Sequence, residues 1–230
     1  MKMGLAWLVV LLVLTFSVGA HADYTTGMAA LQGGDYSKAY DDLKLLADKG
    51  DPRAQNALGM MIDIGQGIPQ NYAEALRWYM KAAEQKDPDA QYNLCVMYAR
   101  AKAVAQDFAE AMKWCRNAAE QGQVKAQNTV GFMYGKGQGV PQDYTEAGKW
   151  YRRAAELGYP PAQYNLGVMC ANGQGVQQDL VLAHMWFNIA ASRGYGDAQK
   201  ERDAVAEKMS PAQLAEAQRK ATEWMLNKSR

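Results

Sequence analysis

Beyond its N-terminal leader the chain has no apolar run long enough to cross a bilayer. It has three cysteines and two histidines, and one of those histidines, His21, falls within the leader. No Cys-x-x-Cys occurs and no Cys/His spacing suits zinc, so neither a metal site nor a cofactor is expected. Serine is scarce as well. After the leader there are Ser37, Ser192, Ser210 and Ser229, and none begins Ser-x-x-Lys or sits in Gly-x-Ser-x-Gly. Charge of one sign is not in excess either. Setting Lys2 aside leaves 24 Lys and Arg against 24 Asp and Glu. That balance argues against nucleic acid, which demands a basic surface, and gives no electrostatic reason to sit on an anionic membrane.

The leader spans 1–22. Met1-Lys2-Met3 is a short basic start, Leu5 to Val18 is an apolar run, and Ala20-His21-Ala22 is a small-x-small cleavage site. This order predicts a secretory signal peptide, too short for a comfortable membrane span. An uncleaved anchor is the rival reading. No cysteine directly follows the run, which argues against a lipid anchor. Cleavage after Ala22 predicts a mature chain that is periplasmic or secreted, with no integral membrane segment.

The mature chain is periodic. Ala54-Gln55 returns as Ala90-Gln91, Ala126-Gln127, Ala162-Gln163 and Ala198-Gln199, always 36 positions on. Trp78, Trp114, Trp150 and Trp186 keep the interval, as do Met61, Met97, Met133 and Met169. A fixed period of this length means a solenoid, in which each unit buries its apolar face only by stacking on its neighbours. Residues that recur are explained by packing. A partner site must be sought in what varies.

One unit reads as two helices and two turns. Asp51 is an N-cap and Pro52 suits the first helical position, a signal repeated at Asp87-Pro88. Leu58, Met61 and Ile62 form an i, i+3, i+4 stripe, and Gly65-Gln66-Gly67 ends the helix. Asn71, Asp107, Asp143 and Asp179 cap the second helix, which ends near Gly122, Gly158 or Gly194, with Lys86 substituting in one unit. The predicted fold is all-α: an α-α superhelical solenoid of antiparallel helix hairpins with 36-residue repeats. Residues 23–53 form an N-terminal partial repeat, 54–197 four full repeats, and 198–230 a degenerate repeat with a capping helix. Ser210 and Gln213 form a capping box for that last helix, whose apolar stripe is Leu214, Ala217, Ala221 and Trp224.

The run from Ala126-Gln127-Asn128 through Gly137-Gln138-Gly139-Val140 and Trp150-Tyr151 to Ala154-Ala155 and Gly158 closely resembles the Sel-one-like repeat family, a relative of tetratricopeptide repeats. The resemblance covers 54–197 well and the flanks loosely. It implies a right-handed superhelix with a concave groove and an adaptor role in protein complexes. Some exported bacterial members regulate envelope signalling or assembly. Cysteine-rich members were reported to bind or hydrolyse penicillins, so a β-lactam- or cell-wall-active hydrolase is the alternative function. By the same resemblance the third, seventh and eleventh positions of each unit face the groove. The third are Asn56, Tyr92, Asn128 and Tyr164, and the seventh Met60, Val96, Phe132 and Val168. The eleventh are Ile64, Arg100, Lys136 and Asn172. Apolar and aromatic groups beside Asn and two cations suit a protein or peptide ligand. Asn56, Met60, Tyr92, Arg100, Asn128, Phe132, Lys136 and Tyr164 are the partner-binding candidates. Met60, Val96, Phe132 and Val168 have an alternative reading as core.

The second full unit departs from the pattern. Ala101 and Ala103 replace both turn glycines, which leaves its turn open between regular, helical and irregular forms. Cys95 stands where other units have Gly59, Gly131 and Gly167. Cys115 stands where they have Tyr79, Tyr151 and Phe187. A glycine facing an aromatic ring lets two helices pack closely, so the two positions are neighbours across the hairpin. The unit that lost the glycine also lost the ring. That points to a Cys95–Cys115 disulfide, or else to two reduced small side chains filling the same space. Closing a loop of about twenty residues adds on the order of 3 kcal/mol. Cys170 is then a free buried thiol.

His184, the one mature histidine, has no second histidine to join it as a metal ligand or catalytic base. Gly135-Lys136-Gly137-Gln138-Gly139 lacks the preceding strand and trailing Lys-Ser/Thr of a phosphate loop. The Trp and Tyr series reads as interhelical packing. Asp41-Asp42 has no second carboxylate tied to it across a cleft. No catalytic residue is assigned.

Overall fold

The computed structural model describes residues 23–228, so the signal peptide read at 1–22 lies outside the described residues. Among the described residues twelve α-helices follow one another and there is no strand. They pair as α1 (Tyr24–Gln32) with α2 (Tyr36–Asp48), α3 (Pro52–Ile64) with α4 (Tyr72–Glu84), and α5 (Pro88–Ala99) with α6 (Phe108–Glu120). The pairs continue as α7 (Val124–Lys136) with α8 (Tyr144–Glu156) and α9 (Pro160–Asn172) with α10 (Leu180–Ser192). Last come α11 (Gly196–Ala206) and α12 (Pro211–Lys228). From α1 to α11 each helix packs on the next in sequence, and α12 folds back to pack on α10.

The caps explain the helix starts. Asn71, Asp107, Asp143 and Asp179 each accept a hydrogen bond from a backbone N–H in the first turn of α4, α6, α8 and α10. Asp51 and Asp87 do the same for α3 and α5, with proline at the first helical position. Ser210 and Gln213 bond reciprocally at the start of α12. Ala217 and Ala221 of α12 are fully buried, so this helix closes the end of the array.

Small residues set how closely the helices of a hairpin approach. A Cβ at Gly59, Gly131 or Gly167 would stand only 2.9, 2.8 or 2.6 Å from the ring of Tyr79, Tyr151 or Phe187. In the second unit Cys95 and Cys115 occupy those two positions, and the structure joins them by a disulfide with Cα atoms 5.1 Å apart. Cys170 is free and buried.

The second unit keeps the turn of the others. Ala101 and Ala103 have φ of 55° and 61°, the left-handed conformation held elsewhere by Gly65 and Gly67, Gly137 and Gly139, and Gly173 and Gly175. The reason is that the flanking hydrogen bonds are unchanged. Lys102 N–H donates to Met97 O, as Gln66, Gln138 and Gln174 do to Met61, Met133 and Met169. Asp107 N–H donates to Tyr98 O, as Asp143 does to Tyr134. The non-glycine backbone is strained by about 1–2 kcal/mol per residue. An ion pair opposes that strain. Lys102 Nζ lies 2.9 Å from Asp63 Oδ1 of the preceding hairpin and 4.7 Å from the Tyr72 ring centroid.

The recurring glutamines have a structural task. Gln55, Gln91, Gln127 and Gln163 are buried, and each donates its Nε2 to a carbonyl at the end of the preceding hairpin: Ala47, Ala83, Ala119 and Ala155. Each of these carbonyls also accepts from a backbone N–H, of Gly50, Lys86, Gly122 or Gly158, so the glutamine fills the second lone pair and ties one helix to the next. Gln85 and Gln121 in turn donate to Gln55 and Gln91. The corresponding residues further along are Leu157 and Arg193, and there Gln127 Oε1 and Gln163 Oε1 accept no hydrogen bond. A second series, Gln70, Gln106, Gln142 and Gln178, donates to Asp63, Ala99, Gly135 and Ala171 carbonyls at 2.6 to 2.9 Å and locks the hairpin turns.

Candidate functional site

The first helices of the hairpins present one face side by side, and its exposed side chains come from the seventh and eleventh positions. Met60, Ile64, Arg100, Phe132 and Lys136 are exposed, with Met60 at 37%, Ile64 at 60% and Phe132 at 43%. Leaving these three large apolar side chains in water forgoes the stabilisation that burial gives. They are therefore not core. Val96 and Val168 at the same position are half-buried.

The third-position candidates divide by type. Asn56 is buried and accepts from Asn93 Nδ2 at 2.8 Å, and Asn128 accepts from Asn165 Nδ2 at 3.0 Å. Both asparagine oxygens are thus engaged between successive repeats. Tyr92 and Tyr164 are half-buried. The Tyr164 ring packs against Phe187 and Tyr195, at centroid distances of 5.5 and 5.1 Å. Burial pushes its hydroxyl pKa up, reinforced by Glu201 and Asp197. It is a neutral phenol at physiological pH.

A cavity of about 300 Å³ opens on this face between α7 and α9. Four of the groove positions, Phe132, Lys136, Tyr164 and Val168, line it. Tyr144, Tyr151, Asn165 and Met169 line it too. Tyr144 and Tyr151 belong to the recurring aromatic set, so periodicity assigned them to packing. Tyr144 is half-buried and Tyr151 buried, and both rings border the cavity. Lys136 Nζ lies 6.0 Å from the Phe132 ring centroid. Among the described residues neither Arg100 nor Lys136 has an ion-pair partner within 4 Å. The face therefore offers apolar contact and two available cations. It offers no acid/base pair and no nucleophile.

Elsewhere the reactive groups are separated. Among the described residues no cluster of three His, Cys, Asp or Glu side chains could hold a metal ion. His184 is buried on α10, and burial, then the nearby Arg202, lower its pKa, which keeps the imidazole neutral. Burial raises the pKa of Cys170, so its thiol is the protonated form at neutral pH. The hydrolase alternative finds no support in this arrangement.

Sel1 repeats match at 52–87, 88–123, 124–159 and 160–195, consecutively and without a gap. The chain belongs to the Sel1-repeat family. Its period agrees with the residue reading, and each unit begins two residues before the Ala-Gln pair. Among solved structures it is similar to c5321, a protective antigen of uropathogenic Escherichia coli displaying an SLR fold. Identity is 32% and the TM-score 0.75, over 87% of this chain and 45% of that one. This Sel1-repeat protein thus spans less than half the length of the antigen. A Sel1 repeat protein from Oxalobacter formigenes is also 32% identical, with a TM-score of 0.76 over 86% of this chain and 81% of that one. A Sel1 repeat protein from Klebsiella pneumoniae is 25% identical, with a TM-score of 0.54 over 80% and 91%. No curated protein matches significantly. Sel1-repeat proteins are typically protein-interaction scaffolds. No described helix is long and apolar enough to cross a membrane.

Proposed function

We propose that this Sel1-repeat protein is an exported adaptor that binds a protein or peptide partner along the face formed by its first helices, in envelope signalling or assembly. Export rests on the signal-peptide pattern at 1–22. The observation that carries the binding reading is the row of exposed apolar and cationic side chains Met60, Ile64, Arg100, Phe132 and Lys136, beside the cavity between α7 and α9. Aromatic anchors near arginine are the usual hot-spot types at interfaces. The spacing of the row suits an extended segment or helix that supplies apolar side chains for the cavity and carboxylates for Arg100 and Lys136. Tyr92 and Tyr164 flank it as half-buried walls.

A photo-crosslinking residue at Phe132, in the exported protein, tests this. It is expected to capture a discrete polypeptide in the envelope. Leu157, which is 61% exposed and lies at a second-helix C-terminus, serves as the control position. Equal capture from Leu157 would overturn the reading. Intact-mass analysis decides export separately: the soluble protein is expected to begin at Asp23, and a retained Met1 would refute cleavage.

A further inference from the structure

A second cavity lies away from the groove. It is about 610 Å³, within the range of roughly 300–1,000 Å³ common for small-molecule sites. Its walls are the successive second helices α8 and α10, with α9 as the floor. Leu166, Met169, Cys170, Leu182, Met185 and Trp186 give it an apolar interior. Its rim on α8 carries Lys149, Arg152 and Arg153 against one carboxylate, Glu156.

The repeat itself shows why this gap exists here. Gly148 lines the cavity at the position where other units carry Leu76, Met112 and His184. Removing that side chain opens the space between two second helices. The three cations are not equivalent. Lys149 is paired with Glu146, and Arg153 stacks on the Trp150 ring at 4.5 Å. Among the described residues Arg152 has no ion-pair partner. It is an exposed guanidinium above an apolar slot. Carboxylate recognition by a guanidinium is bidentate and directional.

We propose that this slot is a binding site for a monomeric single-chain amphiphile with a carboxylate head, its alkyl chain between α8 and α10 and its head on Arg152. The site lies on a different face from the peptide groove and shares only Met169 with the cavity there, and the proposal does not rest on the peptide reading. Cys170, in the wall, acts as a reporter and not as a participant.

Calorimetric titration of the full mature protein with sodium octanoate is expected to show saturable one-to-one binding, with no comparable binding of octanol or octylamine. Arg152→Ala is expected to weaken it about tenfold, the loss of one charge-assisted contact. Glu156→Gln is expected to strengthen it. Gly148→Leu restores the side chain found at Leu76 and is expected to abolish it. Because Met169 must give way there, Gly148→Ala serves as the milder variant, with a graded loss. Octanoate is also expected to slow maleimide modification of Cys170. The proposal is overturned by equal binding of octanol, by undiminished binding in Gly148→Leu, or by unaltered Cys170 labelling. Association with phosphatidylglycerol vesicles in place of monomeric octanoate would assign the site to a membrane surface and likewise overturn it.

Discussion

The second repeat (88–123) and the third (124–159) have the same backbone and reach it by different chemistry. In the third, Gly131 lets the Tyr151 ring approach, and Gly137 and Gly139 supply the left-handed turn at no steric cost. In the second, a disulfide replaces the glycine–aromatic contact, two alanines carry positive φ, and Lys102 reaches back to Asp63. The turn of the second repeat is held by hydrogen bonds from Lys102 and Asp107 to Met97 and Tyr98 and by the ion pair to Asp63 of the preceding repeat, while the disulfide ties its two helices. That of the third is held by what its own residues prefer. The period therefore specifies positions more strictly than residue types.

Removing the disulfide is the largest expected break in this comparison. Cys95→Ala with Cys115→Ala should lower the unfolding free energy by about 3 kcal/mol, the loop-closure contribution for a separation of 20. Urea denaturation with and without reductant checks it, and the double variant should be insensitive to reductant. Next, Gly131→Ala should cost about 2 kcal/mol, because its Cβ would press on the Tyr151 ring. The same change paired with Tyr151→Ala should lose much of that strain penalty, so the double-mutant cycle should be non-additive. Third, Ala101→Gly and Ala103→Gly should each stabilise the second repeat by about 1 kcal/mol, the relieved strain less the added freedom of the unfolded chain. Thermal melting of the double variant measures it. Smallest is Lys102→Met. Both charged side chains are partly exposed, so the loss should be below about 1 kcal/mol and should shrink as salt is added.

Much of the fold was legible because its determinants recur. Asn71, Asp107, Asp143 and Asp179 announce four helix starts, and four agreeing caps outweigh the ambiguity of one. The Gly–aromatic pairing was legible for the same reason. It also showed where Cys95 and Cys115 had to meet. The turn at Ala101 was not legible, since its conformation is set by hydrogen bonds to Met97 and Tyr98 that residue preference does not report. On the groove face, the family resemblance pointed to Met60, Phe132 and Lys136, which are exposed. It could not show that Asn56 and Asn128 are engaged by Asn93 and Asn165, each 37 residues away. Gly148 was visible as a loss of volume in the series Leu76, Met112, Gly148, His184. What that loss opens depends on α10, whose own side chains lie far along the chain.

Met169 lies in the wall of both cavities, the one between α7 and α9 and the one between α8 and α10. It is one unbranched, adaptable side chain, 4% exposed, separating two opposite faces of the array. A ligand that selects its rotamer on one face reshapes the space on the other. Were both cavities filled, their occupancy would be linked through Met169, and such linkage is reciprocal: whatever factor the first ligand imposed on the second, the second would impose on the first. Its sign follows from whether both ligands want the same rotamer. A solenoid whose repeats touch only their nearest neighbours would thus have, at this one residue, a route for information across its thickness instead of along its length.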